Sequence, residues 1–172
     1  VEILLQEYET CNRRYQQIMD LVEEQLREVP YAEKLLQIKG IGIVAVAGFI
    51  AAVGDVARFK SPEQIIKLLG LNIRENSSGK HKGKTTITRR GRADGRYAMF
   101  QAVLPLIAKN AEFRELHHYY TQREERPLKK IQSVVALACK LIRIFHAILR
   151  TGRDYDAKKM RNDIKRPMRA AA

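Results

Sequence analysis

The sequence predicts a mainly α-helical protein, a coiled-coil arm followed by a compact helical domain, and three observations support this. Apolar residues repeat every seven positions over residues 1–29. Later stretches carry apolar residues at the three- and four-residue spacing that buries one face of a helix. An alternating pattern typical of a strand is confined to the short run 84–88. We expect the arm over residues 1–30, the helical domain over 31–150 and a basic extension over 151–172.

The arm carries apolar residues at two positions of its heptad. They are Val1, Tyr8, Tyr15, Val22 and Val29 at one position, and Leu4, Cys11 and Ile18 at the other, with Gln25 as the polar exception. This seam predicts self-association through residues 1–29, and the alternative is an amphipathic helix packed on its own domain. Pro30 should end the helix. Cys11 and Cys139 fall on apolar helical faces, which predicts reduced core cysteines.

Residues 35–52 predict a helix-hairpin-helix, two helical segments hinged on Gly40-Ile41-Gly42. The glycines let the turn expose backbone N–H groups at the start of the second helix, where the helix dipole favours an anion such as phosphate. Lys39 adds one positive charge beside the turn. The alternative is a glycine-hinged packing corner with no ligand.

Further helices are predicted on either side of the region richest in arginine and lysine. Residues 61–64, Ser-Pro-Glu-Gln, predict a helix start in which Ser61 caps the first turn and Gln64 completes a capping box. Residues 92–109 predict a helix, and 133–149 predict a buried one. The residues expected to face inward on the first of these two are Tyr97, Phe100, Val103, Leu104 and Ile107.

The charge of the chain predicts a polyanionic partner. The 172 residues include 32 Lys and Arg against 19 Asp and Glu, a net charge of +13. Residues 1–60 hold seven basic and nine acidic side chains, whereas residues 61–172 hold 25 and 10. Nucleic acid is the natural partner of such a field. An anionic membrane is the weaker interpretation, because no long apolar run or lipidation signal occurs; the alternative is a solvated basic surface.

The positive charge is densest in a basic serine loop at residues 74–96, where eight Lys and Arg and two acids surround Ser77-Ser78-Gly79. A hydroxyl among cations, flanked by glycines that admit a ligand close to the backbone, suits phosphodiester chemistry on nucleic acid. With the hairpin turn, the candidate nucleic-acid-binding residues are Lys39, Gly40, Gly42, Lys80, Lys82, Lys84, Arg89, Arg90, Arg92 and Arg96.

Five sequence blocks in a fixed order carry a family resemblance. They are Ile-Lys-Gly-Ile-Gly at 38–42, Gly-Asp-Val-Ala-Arg-Phe-Lys-Ser at 54–61, Leu-Leu-Gly-Leu at 68–71, Arg-Glu-Asn-Ser-Ser-Gly at 74–79 and Ile-Thr-Arg-Arg-Gly at 87–91. In this order and spacing the blocks resemble the C-terminal transposase domain of the bacterial insertion-sequence family one-ten, which is related to families one-sixteen and nine-zero-two. The heptad arm resembles the coiled coil that precedes this domain.

The resemblance, which covers residues 35–150, implies a DNA recombinase in two parts. The family has an N-terminal nuclease-like domain whose four carboxylates hold a divalent metal such as magnesium, and a C-terminal domain whose serine becomes joined to DNA. A structured guide RNA directs the reaction. The chain resembles the second part alone, so we expect a fragment that is inactive by itself, with no metal ligands and no cofactor of its own. The expected location is the bacterial cytoplasm, with DNA and guide RNA as partners.

The serine of the family precedes the glycine of the Ser-Gly pattern, and this places it on Ser78. The spacing alone leaves Ser77 as the alternative. A serine hydroxyl needs a base or a metal to activate it and cations to stabilise the charge of the transition state. His81 is the nearest base in sequence, although the resemblance favours a base or metal from the nuclease-like domain. The expected stabilising cations are Lys80, Lys82, Lys84, Arg89 and Arg90.

Two positions depart from the family pattern. Arg92 stands where the family usually has asparagine, and Gly95 stands where it has leucine, although Arg96 keeps the family's arginine. We expect Gly95 to lose an apolar helix contact. Two classes of function follow from the sequence: the serine-bearing part of a transposase, or a non-catalytic module that binds nucleic acid and dimerises. A covalent protein–DNA adduct distinguishes them.

Overall fold

The computed structural model describes residues 1–74, 77–78, 81–82 and 86–162, with backbone alone at 77–78, 81–82 and 162. The α-helices are α1 (Glu2–Arg27), α2 (Ala32–Leu36), α3 (Ile43–Val53), α4 (Pro62–Leu68), α5 (Ala93–Lys109), α6 (Ala111–Gln122), α7 (Lys130–Thr151) and α8 (Ala157–Asn162). A 3₁₀ turn at Val56–Arg58 precedes α4. The prediction of a mainly α-helical fold is confirmed.

Short strands lie between α4 and α5. In the described residues they are β1 (Ile73–Arg74), β2 (Ser77–Ser78), β3 (His81–Lys82) and β4 (Thr86–Ile87). β1 pairs with β4 and β2 pairs with β3, both antiparallel. The expected basic loop at 74–96 therefore begins as a β-hairpin and ends in the first turn of α5. β4 lies within the run 84–88, where the sequence has a short alternating pattern, whereas β1, β2 and β3 are too short to give one.

The core forms where α5 and α7 meet the surrounding helices. α3 packs against α5, α5 packs against α7, and α4 and α6 pack against α7. Phe49 of α3 and Phe145 of α7 are fully buried and meet edge to face, with ring centroids 5.1 Å apart. Burial of each such side chain contributes about 1.5–3 kcal/mol. The helical pattern of the sequence thus identified α5 and α7 as core helices, whereas the sequence prediction did not include α6.

The central helix α7 begins three residues earlier and ends two residues later than the predicted span 133–149. By length and composition α7 is the one helix in the described part of the chain that could cross a membrane, and half of its apolar window is buried inside the domain. The residues of α7 that are buried in the core include Val134, Leu137, Ala138, Leu141, Ile142, Phe145 and Ile148.

The apolar seam of helix α1 is exposed from Val1 to Ile18 and meets the domain near the end of the helix. Within α1, Leu26 is buried and Val22 packs partly against the core, as does Val29 just after the helix. The helix ends at Arg27, before Pro30. The prediction that Cys11 is a core cysteine is wrong, because this residue lies on the exposed part of α1. Cys139 is partly buried, and burial raises the pKa of its thiol.

The start of α4 differs in detail from the predicted capping box. Ser61 is the N-cap residue and Pro62 the first helical residue, as expected. Gln64 Oε1 accepts from the backbone N–H of Lys60 at 2.8 Å, one residue before the cap, and the Ser61 side chain caps no backbone N–H. The pKa of Glu63 in the first turn is lowered, first by its own backbone N–H and then by the Ser61 hydroxyl and Arg143.

Residues after α7 return to the domain. Met160 of α8 is buried, and Arg161 forms ion pairs with Glu112 at 3.5 Å and Glu115 at 3.4 Å on α6. Lys34 of α2 pairs with Asp154 at 2.9 Å, which raises the pKa of the lysine. The predicted basic extension 151–172 thus includes a docked segment, and residues 163–172 lie outside the described part.

Helices α3 and α5 run antiparallel and pack closely through small residues. A Cβ built on Gly48 would lie 2.9 Å from Ala98 Cβ, and one on Gly95 would lie 2.4 Å from Ala52 Cβ and 2.6 Å from Leu69 Cδ2. Gly95 is buried at this approach. The expectation that Gly95 loses an apolar contact is therefore wrong: the missing side chain allows α5 to lie directly on α3 and α4.

We predict that Gly95→Leu, which restores the usual residue of the family, destabilises this chain. Overpacking at a fixed backbone approach costs about 1–3 kcal/mol. Urea denaturation should show that loss in the free energy of unfolding. Ala108→Leu, at an exposed site on the same helix, is the matched control and should change it by less than about 0.5 kcal/mol. Equal stability of Gly95→Leu and the parent would contradict the packing argument.

Candidate nucleic-acid interface

The candidate serine, Ser78, lies on the β-hairpin between α4 and α5. The outer pair of strands joins Ile73 to Ile87 and Arg74 to Thr86. The inner pair joins Ser77 to Lys82 and Ser78 to His81. The backbone register therefore makes Ser78 and His81 cross-strand partners. The predicted site residues Lys80 and Lys84 lie outside the described residues, as do the side chains of Ser78, His81 and Lys82.

The base of the hairpin is locked to the end of α4 by contacts between main chains. The N–H of Arg89 donates to the Gly70 carbonyl at 3.0 Å, and that of Arg92 donates to the Leu68 carbonyl at 2.9 Å. Gly91 has a φ of 151°, and a Cβ there would lie 2.2 Å from the Leu68 oxygen. Gly70 has a φ of 66°, and its Cβ would lie 2.9 Å from the Arg90 oxygen. Both glycines are needed for this approach.

A second contact fixes the next residues of the hairpin. Thr88 Oγ1 donates to Asn72 Oδ1 at 2.7 Å, and the Thr88 N–H donates to the Asn72 carbonyl at 2.9 Å. Sequence reasoning missed this pair, although a threonine and an asparagine flanking a basic segment are residues that commonly close turns. The pair joins the two arms of the hairpin at its base, where Asn72 precedes β1 and Thr88 follows β4.

Two of the predicted nucleic-acid-binding arginines hold the hairpin against the helices. The Arg92 guanidinium donates to the Ala52 carbonyl in the last turn of α3, and Arg96 Nη1 donates to the Leu69 carbonyl at 3.0 Å after α4. Cations are favoured at these helix ends, where carbonyl groups lack helical partners. A guanidinium has five N–H donors, so a single carbonyl bond leaves capacity for a phosphate. Arg89 and Arg90 are exposed at the same base.

The predicted helix-hairpin-helix region consists of α2, a turn and α3. Gly40 has a φ of 99°, and a Cβ there would lie 3.1 Å from the Pro105 oxygen, so the turn packs on α5. Gly42 is the N-cap of α3; its backbone is extended, no side chain caps the helix, and no neighbour lies within 4 Å of a Cβ built there. The start of α3 is therefore open on one side.

An asparagine that sequence reasoning missed supports this turn. Asn110 is buried, and its Nδ2 donates to the Lys39 carbonyl at 3.2 Å. Its Oδ1 accepts from the N–H groups of Glu112 and Phe113, which caps α6. An asparagine between two helical runs is a recognisable capping signal. One side chain thus fixes both the glycine turn and the start of α6.

The structure separates the candidate residues into two groups. Gly48 faces Ala98 and Ala52 faces Gly95, so α3 and α5 are antiparallel and the glycine turn lies near the end of α5. The base of the hairpin lies near the start of α5. An 11-residue α3 is about 16 Å long. Lys39, Gly40 and Gly42 therefore form one candidate contact, and Arg89, Arg90, Arg92 and Arg96 form another at the opposite end.

The face of α5 next to the hairpin also differs from the prediction. Tyr97 and Leu104, expected to face inward, are 64% and 44% exposed. The buried residues of α5 are Gly95, Met99, Ala102, Val103 and Leu106. The buried face of α5 includes the small residue Gly95. The helix is therefore rotated about its axis relative to the orientation that would bury its largest apolar side chains. A shallow groove beside this face is lined by Gly48, Ala51, Ala52, Arg92 and Asp94.

The histidines at positions 117 and 146 have structural contacts. His117 Nδ1 lies 2.9 Å from Ser133 Oγ, and burial lowers the pKa of His117. His146 is buried, with Nε2 3.1 Å from the Phe59 carbonyl oxygen. No group of three or more His, Cys, Asp or Glu residues that could hold a metal ion occurs within the described ranges.

The chain is similar in sequence to proteins of bacterial insertion elements and to a gene-inverting protein. The chain is 29% identical over 131 residues to the insertion element IS900 uncharacterized 42 kDa protein of Mycobacterium paratuberculosis, covering 76% of the chain and 32% of that protein. It is 27% identical over 129 residues to the pilin gene-inverting protein of Moraxella bovis, covering 74% and 39%. It is 26% identical over 148 residues to a probable family 20 transposase of Pseudomonas aeruginosa, covering 85% and 43%.

The chain thus spans between about a third and two fifths of the length of these relatives. The sequence pattern of the IS116/IS110/IS902 transposase family matches residues 32–118, which run from α2 through the hairpin into α6 and include the two groups of candidate residues. On this match, the chain belongs to the IS116/IS110/IS902 transposase family.

Proposed function

We propose that this chain is the DNA-binding and serine-bearing part of an insertion-sequence transposase, with Ser78 as the nucleophile that becomes joined to DNA. The observation that carries the proposal is the placement of Ser77 and Ser78 on a hairpin whose base is fixed to the α-helical core and carries Arg89, Arg90, Arg92 and Arg96. A rigid base allows the hairpin to present a hydroxyl at a defined position relative to a bound phosphate.

In the proposed reaction, Ser78 Oγ attacks a phosphorus atom of the DNA backbone. A serine–phosphate bond forms, the bond from phosphorus to the leaving strand oxygen breaks, and the hydroxyl proton passes to a base. Strand exchange reverses these steps with a different strand oxygen. Cations at the hairpin stabilise the additional negative charge of the transition state. His81, the cross-strand partner of Ser78, is the candidate base within the chain.

The divalent metal expected for the family has no ligand set within the described residues, so no step of the proposal passes through it. We place the carboxylates that would hold magnesium in a nuclease-like domain that residues 1–172 do not resemble. The guide RNA is likewise a proposed partner, for which the basic residues and the glycine turn supply suitable phosphate contacts.

A second function, nucleic-acid binding and dimerisation without chemistry, is favoured by one observation on α1. Its apolar residues are exposed over most of the helix, with Leu4, Tyr8, Tyr15 and Ile18 between 53% and 69% exposed. An exposed seam with a heptad repeat suits a partner helix of the same sequence. We propose self-association through residues 1–29, and this arm can accompany either function.

We predict that the chain alone binds DNA and does not cleave it. If 6–10 phosphates are contacted, affinity should fall about 10³–10⁵-fold between 50 and 200 mM salt. Fluorescence anisotropy with a labelled duplex measures this dependence, and incubation with supercoiled plasmid and magnesium measures cleavage. A flat response to salt, or nicking of the plasmid, would contradict the prediction.

We predict that Ser78→Ala abolishes strand exchange in the complete transposase with its guide RNA. The substitution removes the hydroxyl and keeps every cation, so DNA affinity should change by less than about twofold, or 0.5 kcal/mol. The reaction is trapped by denaturation, and protein carrying covalent DNA is detected on a gel. Ser77→Ala is the matched control and should retain the adduct. An adduct that persists in Ser78→Ala, or that maps to Ser77 by mass spectrometry, would overturn the assignment.

We predict that Tyr15→Asp with Ile18→Asp converts a self-associating chain to a monomer. Two carboxylates would be placed in the apolar seam, where burial of an unpaired charge is strongly unfavourable. Sedimentation velocity measures the mass. Gln16→Asp with Gln17→Asp introduces the same charge at neighbouring exposed positions outside the seam and should leave the mass unchanged. An unaltered mass in the first variant would mean that the seam is not the contact.

The exposed thiol of Cys11 can determine the orientation of the paired arms. In a parallel, in-register pair the two Cys11 residues face each other, within the roughly 4.4–6.8 Å Cα separation that a disulfide requires. Mild oxidation should then cross-link a Cys139→Ser variant into a dimer, and should leave a Cys11→Ser variant as single chains on a denaturing gel.

A further inference from the structure

An aromatic side chain is exposed beside the base of the hairpin. Tyr97 has 64% of its surface accessible, while Phe49, Phe113 and Phe145 are fully buried. It lies five residues after Arg92, the N-cap of α5, a rise of about 7.5 Å. The adjacent residue, Arg96, is fixed to the end of α4. Tyr97 therefore projects from the part of α5 that holds the hairpin in place.

The ring of Tyr97 is held by a neighbour on the same helix. Gln101 Nε2 donates to the tyrosine hydroxyl at 2.7 Å, across one helical turn. This bond restricts the orientation of an exposed side chain that would otherwise sample several rotamers. The tyrosine thus presents a π-face in a preferred orientation, with little conformational entropy left to lose on binding.

The surroundings of Tyr97 favour a nucleobase over a phosphate at the ring itself. Asp94, one turn earlier on α5, places a carboxylate on this side of the helix, where it repels phosphate. The groove that Asp94 lines is also lined by Arg92 and by three small residues, Gly48, Ala51 and Ala52. Tyr97 is not one of the residues that line this groove but follows Asp94 by three residues, about one helical turn. A strand whose phosphates contact the arginines at the hairpin base would therefore bring its bases past the groove to the tyrosine ring.

We propose that Tyr97 is a stacking platform for an unpaired base of a nucleic-acid strand held at the base of the hairpin. The inference rests on the proposed nucleic-acid binding and adds a contact to a base. Unstacked bases bind aromatic faces without regard to sequence. In a reaction that opens a duplex, such a contact keeps a displaced base away from its former partner and next to the serine hairpin.

The absence of tryptophan from the sequence allows a direct test. Tyr97→Trp creates a chain with one tryptophan, whose fluorescence a stacked base quenches. Titration with an oligothymidine of about 20 nucleotides, longer than a typical single-strand binding site, should give saturable quenching that follows the anisotropy binding curve. Ile3→Trp, at a similarly exposed residue of α1 outside the two seam positions, is the matched control and should show no saturable quenching. If the Tyr97→Trp chain binds by anisotropy and its fluorescence is not quenched, the stacking proposal is overturned and the proposed function stands.

Affinity measurements separate a base contact from a structural or protein-docking role. Tyr97→Ala should weaken binding of the oligothymidine by about 5- to 150-fold, the fold-change for loss of one stacked base. Tyr97→Phe should keep most of the affinity. Binding of an abasic strand of equal length should be unchanged in both variants. Equal weakening toward the abasic strand, or full affinity of Tyr97→Ala for oligothymidine, would overturn the proposal. Failure of the parent chain to bind either strand would overturn the proposed function as well.

Discussion

The contact between the end of α4 and the returning arm of the hairpin is the constraint on which the candidate site depends. Gly70 and Gly91 let two main chains meet closely, and the bonds from Arg89 and Arg92 to the Gly70 and Leu68 carbonyls fix them in register. Arg89 itself has a left-handed backbone with a φ of 54°, a conformation that an arginine adopts only when its surroundings hold it there. The position of the hairpin that carries Ser78 is thereby fixed by main-chain contacts at its base, between residues 68–70 and 89–92.

The antiparallel packing of α3 on α5 gives the domain two separate ends. One end carries the glycine turn, supported by Asn110, and the other carries the hairpin, supported by the contacts of Arg92 and Arg96 with helix carbonyls. An extended nucleic acid could contact both ends, because a separation of about 16 Å corresponds to roughly five base pairs of duplex. Arg92 and Arg96 each donate to a helix carbonyl, and we propose that their remaining N–H donors contact phosphate.

Much of the fold could be predicted from the sequence, since long helices with a strong apolar pattern were placed correctly. The failures have physical causes. The sequence predicts a lost apolar contact at Gly95, because it does not show that Ala52 and Leu69 occupy the space of the missing side chain. It predicts Tyr97 in the core because a large aromatic residue fits an apolar pattern even when the phase of the helix exposes it. It predicts Cys11 in the core because an apolar seam that faces a partner and one that faces its own domain have the same pattern. Within the site, the resemblance to the family is what selects Ser78 as the candidate serine. The contacts that hold the base of the hairpin are visible only in the structure.

We propose that nucleic acid contacts the hairpin base and the glycine turn together, and hydrogen exchange measures this contact most directly. Amide exchange of the chain should be compared with and without a saturating DNA duplex. We expect slower exchange in peptides covering residues 40–45 and 86–92, with unchanged exchange in the buried middle of α7. Protection confined to α7 and α8, with no change at the hairpin base or the turn, would contradict it.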